Sequence, residues 1–199
     1  MSRTVEFYFD VGSPAAYIAW TQLPRLCAAA GGRIDYRPML LGGVFQATGN
    51  QSPTTVPAKG RYMMEDLGRF AARHGVPFVN NPFFPINTLM LMRAAVGLQM
   101  REPERFTAYG DAVYRAIWAE AKNMNDPGVV GQVLQAAGFD PPHLVALAGD
   151  QAVKDRLKAI TEEAVARGVF GAPTFFIDGQ MHWGQDRLDF VQQALETTL

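Results

Sequence analysis

The residue whose setting most invites chemistry is Ser13, which ends the run Phe7-Tyr8-Phe9-Asp10-Val11-Gly12 and precedes Pro14. The three aromatic residues predict a short strand. Gly12 permits a sharp turn. Serine is a favoured N-cap, and proline suits a first helical position, where no N–H is needed. The spacing therefore places a hydroxyl at the positive end of a helix, on the carboxyl end of a strand. An anion such as a thiolate is stabilised there. Taken alone, the Ser-Pro pair need do no more than start the helix.

Two later stretches could supply partners. In Gly171 to Phe176, read as GAPTFF, Pro173 stands immediately before a strand. A cis bond at Pro173 would leave the N–H and C=O of Ala172 free to pair with an extended peptide; an ordinary turn proline is the plainer alternative. In Trp183 to Arg187, read as WGQDR, Asp186 suits a helix N-cap. Facing a groove instead, its carboxylate could hold an ammonium, while Gln185 and the helix N-terminus hold a carboxylate.

Other chemistries lack their residues. His74, His143 and His182 have no ligand partner at helical or hairpin spacing, so no metal site is expected and surface or packing roles are. Ser13 is not in a G-x-S-x-G elbow, and neither a Walker loop nor G-x-G-x-x-G occurs. Cys27 is the single cysteine, which excludes an internal disulfide, a dithiol pair and a thiolate metal cluster. Its place among Leu26 and Ala28 predicts a buried, inert thiol. With 18 basic and 19 acidic residues, nothing marks a nucleic-acid or membrane-surface partner. Glu6 and Asp10 interrupt any N-terminal apolar run, and no transmembrane-length segment follows, so the cytoplasm is the expected location.

The elements that must position these residues follow from periodicity. Val5 to Asp10 reads as a strand, Ala15 to Ala29 as a helix and Ile34 to Arg37 as a second strand, a right-handed βαβ unit. Leu40 to Pro57 reads as a long irregular loop, rich in Gly, Pro and Thr. Ala58 to Gly168 reads as almost entirely helical, with apolar stripes that include Tyr62, Met63, Leu67 and Phe70; these read as core. Thr174 to Ile177, the Asp178-Gly179 turn and a strand through His182 and Trp183 read as a hairpin, and Arg187 to Leu195 as a last helix. The expected fold is α/β: a discontinuous thioredoxin-like domain, residues 1–57 and 169–199, split by an all-helical insertion, residues 58–168. Thr174 to Ile177 should then share a sheet with Val5 to Asp10.

The patterns FYFDxxSPxAYxA, ATGN, PAKGRYM and FGAPTFFxDGxxxWGQDR together resemble the 2-hydroxychromene-2-carboxylate isomerase family, over essentially the whole chain. That family is similar to kappa-class glutathione transferases and to bacterial disulfide oxidoreductases with a helical insertion. The resemblance implies that Ser13 replaces the first cysteine of a redox CxxC and activates bound glutathione. Ser13-Pro14-Ala15-Ala16 stands where CxxC would, so dithiol chemistry is excluded. The resemblance further implies that Pro14, Asn50, Ala172, a cis Pro173 and the run Trp183, Gly184, Gln185 and Asp186 contribute to the glutathione site, and that the protein is a homodimer acting on a small aromatic molecule. Its thiolate would add reversibly to the conjugated enone of an aromatic pyruvate. Phe45, Gln46 and Phe84 are the candidate substrate contacts. Phe45 stands where a naphthalene-pathway isomerase carries a substrate-binding lysine, and Gln46 where kappa-like relatives often carry lysine. Arg61, at the start of the next helix, could supply the missing charge; a solvated surface role is its plainer alternative. A conjugating glutathione transferase and a redox-inactive thioredoxin-like binding module remain alternatives.

Overall fold

In the computed structural model, residues 3–196 are described; the outermost residues of the expected discontinuous domain, 1–2 and 197–199, lie outside them. The chain begins with strand β1 (Thr4–Phe9), helix α1 (Pro14–Ala29) and strand β2 (Arg33–Pro38), and β1 pairs with β2 in parallel. It returns to the same sheet with β3 (Thr174–Ile177) and β4 (Gln180–Trp183), giving the order β2-β1-β3-β4. Across the central antiparallel pair, Glu6 lies opposite Phe176, Phe7 opposite Phe175 and Tyr8 opposite Thr174. The expected union of the first and third strands is thus observed. In the β3–β4 turn, Asp178 and Gly179 both have positive φ, 49° and 81°, as the tight hairpin turn requires.

The insertion supplies helices α3 (Pro57–His74), α4 (Leu89–Arg101), α5 (Phe106–Trp118), α6 (Pro127–Ala136), α7 (Pro141–Gly149) and α8 (Gln151–Ala166). Alternation along β1 divides its side chains between two layers. Phe7 and Phe9 face a large core shared with Trp20 of α1, Phe175 of β3 and Phe106 and Tyr114 of α5; Phe7 stacks on Phe175 at 5.1 Å. Tyr8 faces the opposite side, in a smaller cluster with Val44, Ile160, Ala164 and Phe176. Helix α8, although part of the insertion, therefore covers one face of the sheet.

The sequence reading of Leu40 to Pro57 as irregular needs correction. Leu41–Thr48 forms helix α2, ended by Gly49 at φ 70°, and Pro53–Thr55 forms one 3-10 turn. Gly42 and Gly43 lower intrinsic helix propensity, but burial of Val44 against Tyr8 and α8 outweighs it. A side chain from elsewhere also ties down the helix start: the Leu41 N–H donates to the Asp10 carboxylate at 2.8 Å. Asp186 is a second correction. The turn Gln185–Arg187 is 3-10 with no side-chain cap, and α9 (Leu188–Glu196) follows; the Asp186 carboxylate pairs with Arg187 instead.

Candidate functional site

Ser13 does cap α1: its Oγ accepts from the Ala16 N–H at 3.1 Å. The same hydroxyl donates to the Ala172 carbonyl at 3.0 Å and is 5% exposed. The Ala172–Pro173 peptide bond is cis, as expected, but the Ala172 carbonyl is not free as that reading required, because the Ser13 hydroxyl occupies it. The Ala172 N–H has no hydrogen-bond partner among the described residues. The start of α1 and the strand entry of β3 thus meet.

Two glycines let other residues pack closely around this meeting point through the absence of a side chain. A Cβ on Gly12 would lie 2.9 Å from Thr88 Cγ2, and one on Gly171 would lie 2.8 Å from Trp183 Nε1. Below the turn, Asp10 is 1% exposed and pairs with no cation among the described residues. It accepts from the Gly12 N–H (2.9 Å), the Leu41 N–H (2.8 Å) and the Thr88 hydroxyl (3.1 Å). Burial pushes its carboxyl above the usual range, and these three donors oppose the shift. Asp10 is a site residue that sequence reasoning passed over. An acid ending an aromatic strand was its signal, but the donors it joins come from three separate elements.

Ser13 and Ala172 open into a cleft of about 1170 Å³. Pro14, Asn50, Trp183, Gly184, Gln185 and Asp186 also line it, so every expected glutathione contact except Pro173 is among its walls. Pro173 instead receives the Gly184 N–H on its carbonyl at 3.0 Å. Asn50 is already engaged: its Nδ2 donates to the Phe170 carbonyl at 2.7 Å, tying the loop after α2 to the segment before Ala172. Gln185 is 6% exposed, and its Oε1 is buried with no hydrogen-bond partner. A buried carbonyl oxygen in that state costs free energy unless a ligand donor satisfies it.

The far wall is apolar. Phe45 of α2 and Phe84, Pro85 and Ile86 of the α3–α4 connection line it with Met63 and Phe70 of α3. The α3 stripe read as core from sequence is therefore divided: Leu67 is buried, but Tyr62, at 62% exposure, looks onto the cleft. Gln46 is not brought to the cleft. It lies on the other side of α2, one residue from Phe45 and about 100° around the helix. Arg61 is exposed and outside the cleft as well. Among the described residues, the charged ones in the cleft walls are Asp10, Asp66 and Asp186, with no lysine or arginine.

Cys27, His74, His143 and His182 are not among the residues lining the cleft. Burial pushes the Cys27 thiol up to about 11, and the side chain is buried in α1. His143 pairs with Glu102 on the surface, His74 is exposed, and His182 is half-buried with its Nε2 lacking a partner. Among the described residues no group of three or more His, Cys, Asp or Glu could hold a metal, and no helix is long and apolar enough to cross a membrane.

Known proteins share this architecture. A family model described as a DSBA-like thioredoxin domain matches residues 4–196. A 2-hydroxychromene-2-carboxylate isomerase from Sphingobium xenophagum is 34% identical over 98% of this chain and 99% of its own length. Human glutathione S-transferase kappa 1 is 27% identical over 98% of this chain and 92% of its own. A solved structure of a 2-hydroxychromene-2-carboxylate isomerase superposes with a TM-score of 0.81 at 31% identity, covering 96% of this chain and 94% of that one. The chain belongs to the DSBA-like thioredoxin family and, within it, to the 2-hydroxychromene-2-carboxylate isomerases.

Proposed function

We propose that this protein is a glutathione-dependent isomerase acting on a conjugated aromatic molecule. The observation that carries the reading is the unpaired Ala172 N–H beside the Ser13 hydroxyl in one cleft, which Gln185, whose buried Oε1 lacks a partner, also lines. A γ-glutamyl peptide has the complementary groups: an ammonium for Gln185 and Asp186, and a peptide edge for Ala172. Glutathione, when bound, supplies a thiolate that can add to and leave a conjugated carbonyl compound without net redox change. Asn50 holds the loop that borders the bound peptide, and Trp183, packed on Phe170 at 5.0 Å, closes one side.

Ser13 serves by exchanging partners. Its proton points at the Ala172 carbonyl, which a ligand N–H can satisfy instead; the hydroxyl is then released to donate toward sulfur. The N-terminus of α1 adds a favourable field for the same charge. On the acceptor side, Phe45, Phe70 and Phe84 suit a ring, and the cation-free walls suit an acceptor with little negative charge. This composition also favours a second reading, a kappa-like transferase that forms a stable conjugate with a neutral electrophile.

Calorimetric titration with glutathione, followed by a turnover screen over conjugated aromatic pyruvates and haloarenes, tests both. The expected results are one glutathione bound per chain, weak turnover of 2-hydroxychromene-2-carboxylate and faster turnover of a less anionic acceptor. Absence of glutathione binding would leave a redox-inactive binding module as the surviving alternative.

A further inference from the structure

The side of α2 turned away from the cleft forms a wall of a second groove, of about 560 Å³, with α4 and α8 as its other walls. That volume falls within the roughly 300–1,000 Å³ of small-molecule sites. Leu40, Leu89, Leu157 and Val165 contribute apolar surface. Three cations line the same space: Arg93 from α4, and Lys154 and Lys158, one turn apart on α8. Among the described residues Glu162 is the single acid in its walls, and it pairs with Lys158 at 3.7 Å. Arg93 and Lys154 are both half-buried, and neither has an acidic partner among the described residues. Half-buried cations over an apolar floor, with no carboxylate to neutralise them, are complementary to an apolar body carrying one anionic group.

We infer that this groove is a binding site for a small aromatic carboxylate, with the ring against Leu40, Leu89 and Leu157 and the carboxylate between Arg93 and Lys154. The site is separate from the glutathione cleft and does not depend on the function proposed for it. Its polarity is the reverse of the cleft, whose charged walls are all acidic.

The test is calorimetric titration of the full chain with 2-naphthoate, with and without saturating S-hexylglutathione. Arg93→Met with Lys154→Met removes the charge while keeping apolar stems, and should weaken 2-naphthoate binding about tenfold or more. Ala47→Trp, at an exposed position on the α2 wall, should block the groove sterically and abolish binding without touching the cations. Loss of binding in both variants, with binding to wild type unaffected by S-hexylglutathione, supports the assignment. Undiminished binding in either variant, or displacement by S-hexylglutathione, overturns it. Failure of S-hexylglutathione itself to bind would count against the glutathione reading, while the two groove variants still decide this one.

Discussion

The Ser13 hydroxyl holds two hydrogen bonds, and only one of them conflicts with a role in catalysis. The capping bond from Ala16 uses an oxygen lone pair and can persist while the proton turns from Ala172 toward sulfur. A hydrogen bond to a charged acceptor contributes about 1.5–3 kcal/mol, equivalent to roughly one to two units of thiol pKa. Ser13→Ala should therefore raise the pKa of the bound thiol by that amount and slow turnover near neutrality, with much of the rate returning at high pH. The helix field survives the change. Loss of the cap should also lower stability by about 0.5–2 kcal/mol. An unchanged pH–rate profile would reduce Ser13 to a helix cap. Gln185 behaves differently, because its role is to receive a donor on the ligand. Gln185→Leu should weaken glutathione binding about tenfold by calorimetry while leaving the thiol pKa where it was. Equal affinity in the variant would mean that the buried oxygen does not meet the ligand.

Helix α2 separates two environments, and neighbouring residues on it answer to different ones. Phe45 faces the cation-free cleft and Gln46 the cationic groove. Phe45→Lys should raise kcat/KM for a carboxylate-bearing acceptor about tenfold relative to a neutral one, and Gln46→Lys should not. If wild type already turns over the carboxylate substrate efficiently and Phe45→Lys adds nothing, the carboxylate is held elsewhere. This helix was also the least legible part of the sequence. Gly42, Gly43 and the Thr- and Pro-rich run after them speak for a loop, and only the burial of Val44 and the reach of Asp10 to Leu41 speak for a helix. Those are contacts between residues far apart in sequence. By contrast, β1, α1 and the β3–β4 hairpin announce themselves through local signals: an aromatic run, Ser-Pro at a helix start, and Asp178-Gly179 in a two-residue turn. Those signals put Ser13 at a helix start and Pro173 before a strand, whereas the role of Ser13 and the cis bond at Ala172 followed only from the resemblance to a known family. The apolar cleft wall on α3 was not legible, since a stripe of Tyr62, Met63, Leu67 and Phe70 has the same spacing whether it faces core or ligand.

At the scale of the molecule, the helical insertion and the sheet are joined at both faces. On one face Arg167 grips Glu6 through two contacts, at 2.6 and 3.0 Å, and stacks over Phe176 at 3.8 Å. The guanidinium holds the Glu6 carboxyl below its ordinary value of 4.5. A depressed carboxyl pKa contributes stability above its unfolded value and loses it as pH falls toward the folded one. Arg167→Met should therefore unfold at a lower temperature near neutral pH, and the gap from wild type should narrow as pH drops below about 4.5. A gap that stays constant into acid would assign the loss to the stacking on Phe176 and Tyr8 and the hydrogen bond to the Tyr8 hydroxyl. On the other face α1 and α5 meet in the large core, where a Cβ on Gly110 would lie 2.5 Å from Trp20 Cζ2. The Trp20 indole N–H donates to Asp111 at 2.6 Å and fixes the ring against α5. The ring cannot retreat from an added methyl without breaking that bond or disturbing Phe7 and Phe9, so Gly110→Ala should cost about 1–3 kcal/mol. Because Trp20 packs on both β1 and α5, the cost should appear equally in both parts. Native-state hydrogen exchange should show β1 and α5 amides opening with the same free energy in wild type, and losing the same amount in Gly110→Ala. If α5 alone is destabilised while β1 keeps its protection, the insertion unfolds as an independent unit and the shared core does not couple it to the sheet.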